Sequence, residues 1–202
     1  KSNLQKEIVS LAHMTGALVI ADPLSNIISE SEDEQYIIPS YEYFLSSKDI
    51  IPSSIIRFGT KPTSKILNHW LGKNADIVYR VQPHERFNDD VKNLIVCDPI
   101  SFCRNIVVQY DKSSSTWNDL LIKLQNSISE KLYIHNKYSL HRFVVDTTNL
   151  VGDNGMLFLG NSSVVRDFAR MGNHKRYSYS TIGNRGASGI DGVLSTALGA
   201  AS

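Results

Sequence analysis

The chain has 202 residues, 42% hydrophobic and 20% charged, enough for one large domain or parts of two around a sizeable core. Twenty-one Lys and Arg against 20 Asp and Glu leave a formal net charge of +1, so the basic face that nucleic acid requires is not expected. No apolar run approaches the ~20 residues of a membrane span, and the charged, amphipathic start KSNLQKEIVSLAHMTG is unlike a signal peptide, so a cytoplasmic protein is expected. Cys97 and Cys103 lack C-x-x-C spacing and have no His at metal-ligand spacing; they are read as reduced core thiols.

In chain order, Leu4, Ile8 and Leu11 fall at helical spacing, and the helix breaks at Gly16 before ALVIAD, a short apolar run of buried-strand type. SESEDE reads as a solvated loop. SIIRFG is a predicted strand, and TSKILNHWL a helix capped by Thr63 or Ser64. ADIVYRV and NLIVCD are further strands, with a short helix after Pro99. Near-continuous apolar strands alternating with helices indicate an α/β fold with a parallel sheet covered on both faces. DKSSS, from Asp111 to Ser115, marks a linker, after which Trp117, Leu120, Leu121, Leu124, Ile128 and Leu132 form one helical stripe. A helix in YSLHRFVVDTTNLV, strands in GMLFLG and RYSYSTIG, and a final helix in GASGIDGVLSTALGAAS complete the series. In that last helix Gly192, Ser195, Thr196 and Gly199 make a small-residue face, which more often means tight packing than cofactor contact.

Three stretches can carry chemistry. In FLGNSSVVRDFAR, Gly160, Asn161 and Ser162 fall at the carboxyl end of a strand, where open α/β sheets bind ligands, and the first turn of the next helix offers free amides to an anion. Ser162 and Arg166, four residues apart, then make a carboxylate or phosphate clamp; alternatively Ser162 only caps the helix and Arg166 pairs with Asp167 or another acid. In GNRGASGIDG, Arg185 stands at the next strand end, where it can meet the same anion, and Ile190 is an apolar residue in a glycine-lined turn. In RFGTKPTSK, Lys65 opposes the dipole of the helix it opens, so either an anion or plain solvation accounts for it. The six histidines show no metal spacing, and no side chain is an evident nucleophile.

Four stretches, ADPLSN, RFGTKPTSKILNHWL, FLGNSSVVRD and NRGASGIDGVLSTALG, together resemble the 2-succinyl-5-enolpyruvyl-6-hydroxy-3-cyclohexene-1-carboxylate (SEPHCHC) synthase family of menaquinone biosynthesis, which depends on thiamine diphosphate. That resemblance implies three α/β domains, of which this chain corresponds to two in part. Residues 1–112 would be a Rossmann-like, three-layer central domain without its first strand, 113–136 a linker and connecting helix, and 137–202 the N-terminal part of the diphosphate-binding domain. The implied chemistry decarboxylates 2-oxoglutarate on the cofactor and adds the succinyl unit to isochorismate. Ser162, Arg166, Arg185 and Lys65 are implied to bind substrate; Ile190, Asn161 and the Ser188 carbonyl are implied to contact thiamine diphosphate. The activating glutamate and the magnesium ligands would lie in segments not represented here, so this stretch alone is expected to be inactive, with no catalytic or metal-ligating residue of its own. The family builds its sites between subunits, which implies a homodimer or homotetramer. Another thiamine-diphosphate-dependent decarboxylase or ligase, or a noncatalytic anion-binding module, stays open as an alternative.

Overall fold

The computed structural model describes residues 3–27, 36–46, 50–85, 91–107, 115–134, 139–171, 179–186 and 189–202. The expected loop SESEDE, the segment 111–114, and Ser188 lie outside them.

The architecture is α/β, with two parallel sheets among the described residues. Strands β1 (Ile55–Phe58), β2 (Val78–Gln82) and β3 (Asn93–Val96) form the first, in that order and all parallel. Helix α1 (Asn3–Thr15) and helix α4 (Pro99–Asn105) pack one face, where Ile8, Leu11 and Cys103 meet Ile56 and Phe58. The other face is covered by the short helix α2 (Glu42–Leu45), by α3 (Lys65–Lys73) and by α5 (Ser115–Ile134), whose Phe44, Trp70 and Leu121 join Val78 and Ile55. This is the layered arrangement that near-continuous apolar strands demand.

The second sheet pairs β4 (Met156–Phe158) with β5 (Ser180–Ile182), again parallel. Helix α6 (Leu140–Val151) precedes β4, α7 (Ser163–Met171) follows it, and α8 (Val193–Ala201) follows β5. Val165, Phe168 and Met171 of α7 are buried with Val144 and Leu159, each large side chain contributing about 1.5–3 kcal/mol by burial.

Several expectations are corrected. Among the described residues ALVIAD contributes an isolated bridge, Val19 with Ile37, in which Val19 N donates to the Tyr36 carbonyl and Ile38 N to the Val19 carbonyl; a strand needs such partners along its length. Leu120 is 45% exposed although Leu121, beside it, is buried; the buried face of α5 turns instead through Gln125, whose Oε1 accepts from Ser40 N at 3.0 Å. Both cysteines are free thiols, but Cys97 is only half-buried, since it follows the edge strand β3. Among the described residues, the small-residue face of α8 is exposed and receives the Asn184 side chain, 3.2 Å from Thr196 Oγ1. Among the described residues, no helix is long and apolar enough to cross a membrane.

Candidate anion-binding site

Because β4 and β5 run parallel and side by side, their carboxyl ends open on one sheet edge. A cavity of about 310 Å³ lies against that edge. The loop after β4 and the first turn of α7 supply Asn161, Ser162, Val165 and Arg166; the loop after β5 supplies Arg185 and Ile190. Thr63 and Lys65, from the loop after β1 and the start of α3, close a third wall. Residues from both sheets therefore face one space.

Local chemistry fixes each wall. Gly59 ends β1 at φ +78°, a left-handed turn that a side chain would strain. Arg80, 1% exposed, donates Nε to the Gly59 carbonyl at 3.2 Å and anchors that turn from beneath. Of the two cap candidates, Ser64 is the one used: its hydroxyl accepts from Leu67 N at 3.0 Å, which starts α3 at Lys65. Thr63 turns instead toward Asp22.

Ser162 does not sit as an ordinary cap. Its backbone has φ +76°, whereas a capping serine takes the extended form. A non-glycine residue in that region costs on the order of 1–2 kcal/mol and persists only where its surroundings hold it. Its hydroxyl lies 3.4 Å from Arg166 Nη2, so the two groups present one donor surface. Asn161 Nδ2 donates to the Gly189 carbonyl at 3.0 Å and links the loops after β4 and β5.

Among the described residues, the charged side chains lining the cavity are Lys65, Arg166 and Arg185, all cations. Lys65 and Arg185 are exposed and Arg166 half-buried, so the potential is directed at solvent and favours an incoming anion. Asp22 backs the Lys65 wall through Thr63. Burial above all, then the nearby Asp22 and Glu42 carboxylates, drive the pKa of the Tyr41 phenol far above its ordinary range, so it remains neutral. Ile190 lines the cavity and is 74% exposed, an apolar side chain outside the core. Among the described residues, no three His, Cys, Asp or Glu side chains gather into a metal-binding group.

No protein-family model matches the chain. Curated relatives do. The 2-succinyl-5-enolpyruvyl-6-hydroxy-3-cyclohexene-1-carboxylate synthase of Listeria monocytogenes serotype 4b is 32% identical over 216 residues, covering 99% of this chain and 37% of the relative. Synthases of the same name from Halobacterium salinarum and Natronomonas pharaonis are 31% and 33% identical over 96% of the chain. The chain is related in sequence to the SEPHCHC synthases. It spans about 37% of the length of the first of these relatives.

Of the residues singled out from the resemblance to SEPHCHC synthases, Lys65, Asn161, Ser162, Arg166, Arg185 and Ile190 all line the one cavity, and Ser188 lies outside the described residues. Sequence reasoning did not find Thr63 as a lining residue, nor the contacts that hold the walls: Asp22 to Thr63, and Asn26 to Thr181. The available signal was ADPLSN itself, an aspartate before proline at a helix start.

Proposed function

We propose that this chain forms part of a SEPHCHC synthase, which decarboxylates 2-oxoglutarate and joins the succinyl unit to isochorismate. The observation that carries the reading is the convergence of Lys65, Arg166 and Arg185, from loops of two sheets, on one cavity at the carboxyl edge of β4 and β5. Both substrates are carboxylates, and a planar guanidinium suits a carboxylate bidentately. Ser162 and Arg166, with Arg185 beside them, would hold substrate carboxylate, while Lys65 reaches across from α3 toward isochorismate.

Thiamine diphosphate fits the residues present in one respect: the exposed Ile190 offers an apolar contact beside polar loops, as a heteroaromatic ring requires. Ile190, Asn161 and the Ser188 carbonyl would be its contacts, and when bound it supplies the electron sink for decarboxylation. The chain's own part is orientation: the guanidinium groups fix the carboxylate so that the reacting carbon is held in one pose and bulk water is displaced. Magnesium, the activating glutamate and the rest of the diphosphate site belong to other segments in this reading. The corresponding organisation is residues 1–112 as central domain, 113–136 as connector and 137–202 as the start of the diphosphate-binding domain, in a cytoplasmic homodimer or homotetramer.

The test is isochorismate consumption by the complete protein with 2-oxoglutarate, thiamine diphosphate and magnesium. Turnover that falls in Arg166→Ala supports the assignment. Turnover of a different 2-oxo acid redirects it to another decarboxylase or ligase, and tight phosphate binding without turnover points to a noncatalytic module.

A further inference from the structure

The turn from Asp22 to Asn26 joins the walls of the cavity. At one end Asp22 Oδ2 accepts from Thr63 N at 2.6 Å and from Thr63 Oγ1 at 2.7 Å, while Oδ1 accepts from Leu24 N at 2.9 Å. Thr63 lines the cavity and stands two residues before Lys65. At the other end the Asn26 side chain acts as a short strand. Ser180 N and the Ile182 carbonyl bond toward β4, so the Thr181 backbone faces the opposite side. There Thr181 N donates to Asn26 Oδ1 at 2.7 Å and Asn26 Nδ2 donates to the Thr181 carbonyl at 3.0 Å. Thr181 Oγ1 donates to the Pro23 carbonyl as well. Between the ends, proline fixes one φ, Ser25 N closes the turn onto the Asp22 carbonyl at 2.9 Å, and Leu24 packs on the core of the second sheet.

We infer that this turn is a strut that sets the separation of Lys65 from Arg166 and Arg185, with Asp22 and Asn26 as positioning residues. The inference rests on the anion-binding reading of the cavity. Each end is a cluster of hydrogen bonds to backbone, close to the wall it holds: Thr63 is two residues from Lys65, and Thr181 is four from Arg185. Releasing an end lets its wall drift, and a displacement near 1 Å at a binding group can cost up to about 100-fold.

The experiment uses the complete protein and double-mutant cycles on KM. Asp22→Ala is expected to raise KM for isochorismate by about 10-fold with kcat within about threefold, and Asp22→Asn, which keeps one oxygen for Thr63, to recover part of the loss. Asn26→Ala is expected to raise KM for 2-oxoglutarate in the same way. If each acts by placing a cation, Asp22→Ala adds nothing in a Lys65→Ala background and Asn26→Ala adds nothing in an Arg185→Ala background. Effects that multiply in the double variants, or KM values unchanged in the singles, overturn the strut. Should Asp22→Ala not fold, Asp22→Asn and Thr63→Val carry the same cycle. A wild type that binds succinate without turnover removes the reaction assignment alone, and the cycles are then read on the succinate Kd. A wild type that binds no dicarboxylate removes both.

Discussion

Asn161 Nδ2 donates to the Gly189 carbonyl at 3.0 Å, so two loops that each leave the end of a parallel strand are tied across the cavity mouth. A neutral hydrogen bond at an exposed position nets about 0.5–1.5 kcal/mol. In the proposed synthase reading, Asn161→Ala in the complete protein is therefore expected to raise KM for 2-oxoglutarate about 2- to 10-fold, because the loop bearing Ile190 loses its tie to the loop bearing Ser162. Steady-state kinetics with each substrate varied in turn checks this, and an unchanged KM counts against the tie.

Ser162 supplies a different test, since its hydroxyl and its backbone make opposite demands. At φ +76° the residue is strained, and glycine relieves the strain while removing the hydroxyl that faces Arg166. Ser162→Gly is expected to unfold at higher denaturant, by about 1 kcal/mol, yet to bind substrate more weakly. Ser162→Ala keeps the strain and loses the hydroxyl, so it should show the binding loss without the gain in stability.

At Gly183 an added Cβ would lie 2.8 Å from the Leu159 carbonyl oxygen and 3.5 Å from Leu24 Cδ1. The carbonyl belongs to the backbone just past β4 and cannot swing aside. Gly183→Ala should push the carboxyl ends of β4 and β5 apart, destabilising by about 1–3 kcal/mol and weakening anion binding along with stability. Thermal unfolding of the variant beside the wild type measures it.

Burial, with the Glu7 carboxylate adding to it, pushes the Cys103 thiol up to about 11, and burial pushes the Tyr179 phenol up to about 12. Both folded-state values exceed the unfolded ones, so the folded chain holds these protons more tightly. Stability is then complete below the unfolded pKa and declines as pH rises toward 11 and 12. The urea concentration that exposes Cys103 to a thiol reagent should fall between pH 9 and 11, and a flat response over that range would contradict the assignment.

Much of this arrangement is legible in the residues because it is local. Ser162 and Arg166 meet through a four-residue spacing, Ser64 caps α3 from its position in the sequence, and apolar runs mark the strands. What escapes a linear reading depends on tertiary placement. Asp22 finds Thr63 across 41 residues and Asn26 finds Thr181 across 155, and no periodicity encodes either meeting. Gln125 escapes for another reason: in an apolar stripe it looks like a break, yet its side chain satisfies the Ser40 amide and is buried. ALVIAD has the composition of a strand, but a strand also needs partners along its length, and one bridge is all the described segment supplies.

The most direct measurement is a double-mutant cycle on Arg166 and Arg185 in the complete protein, read as kcat/KM for 2-oxoglutarate. If both guanidinium groups grip one carboxylate, each alanine variant should lose about 2–5 kcal/mol of transition-state stabilisation, with the double variant losing clearly less than the sum. Strictly additive losses, or a variant at either position that keeps wild-type kcat/KM, would show that the two arginines serve separate purposes.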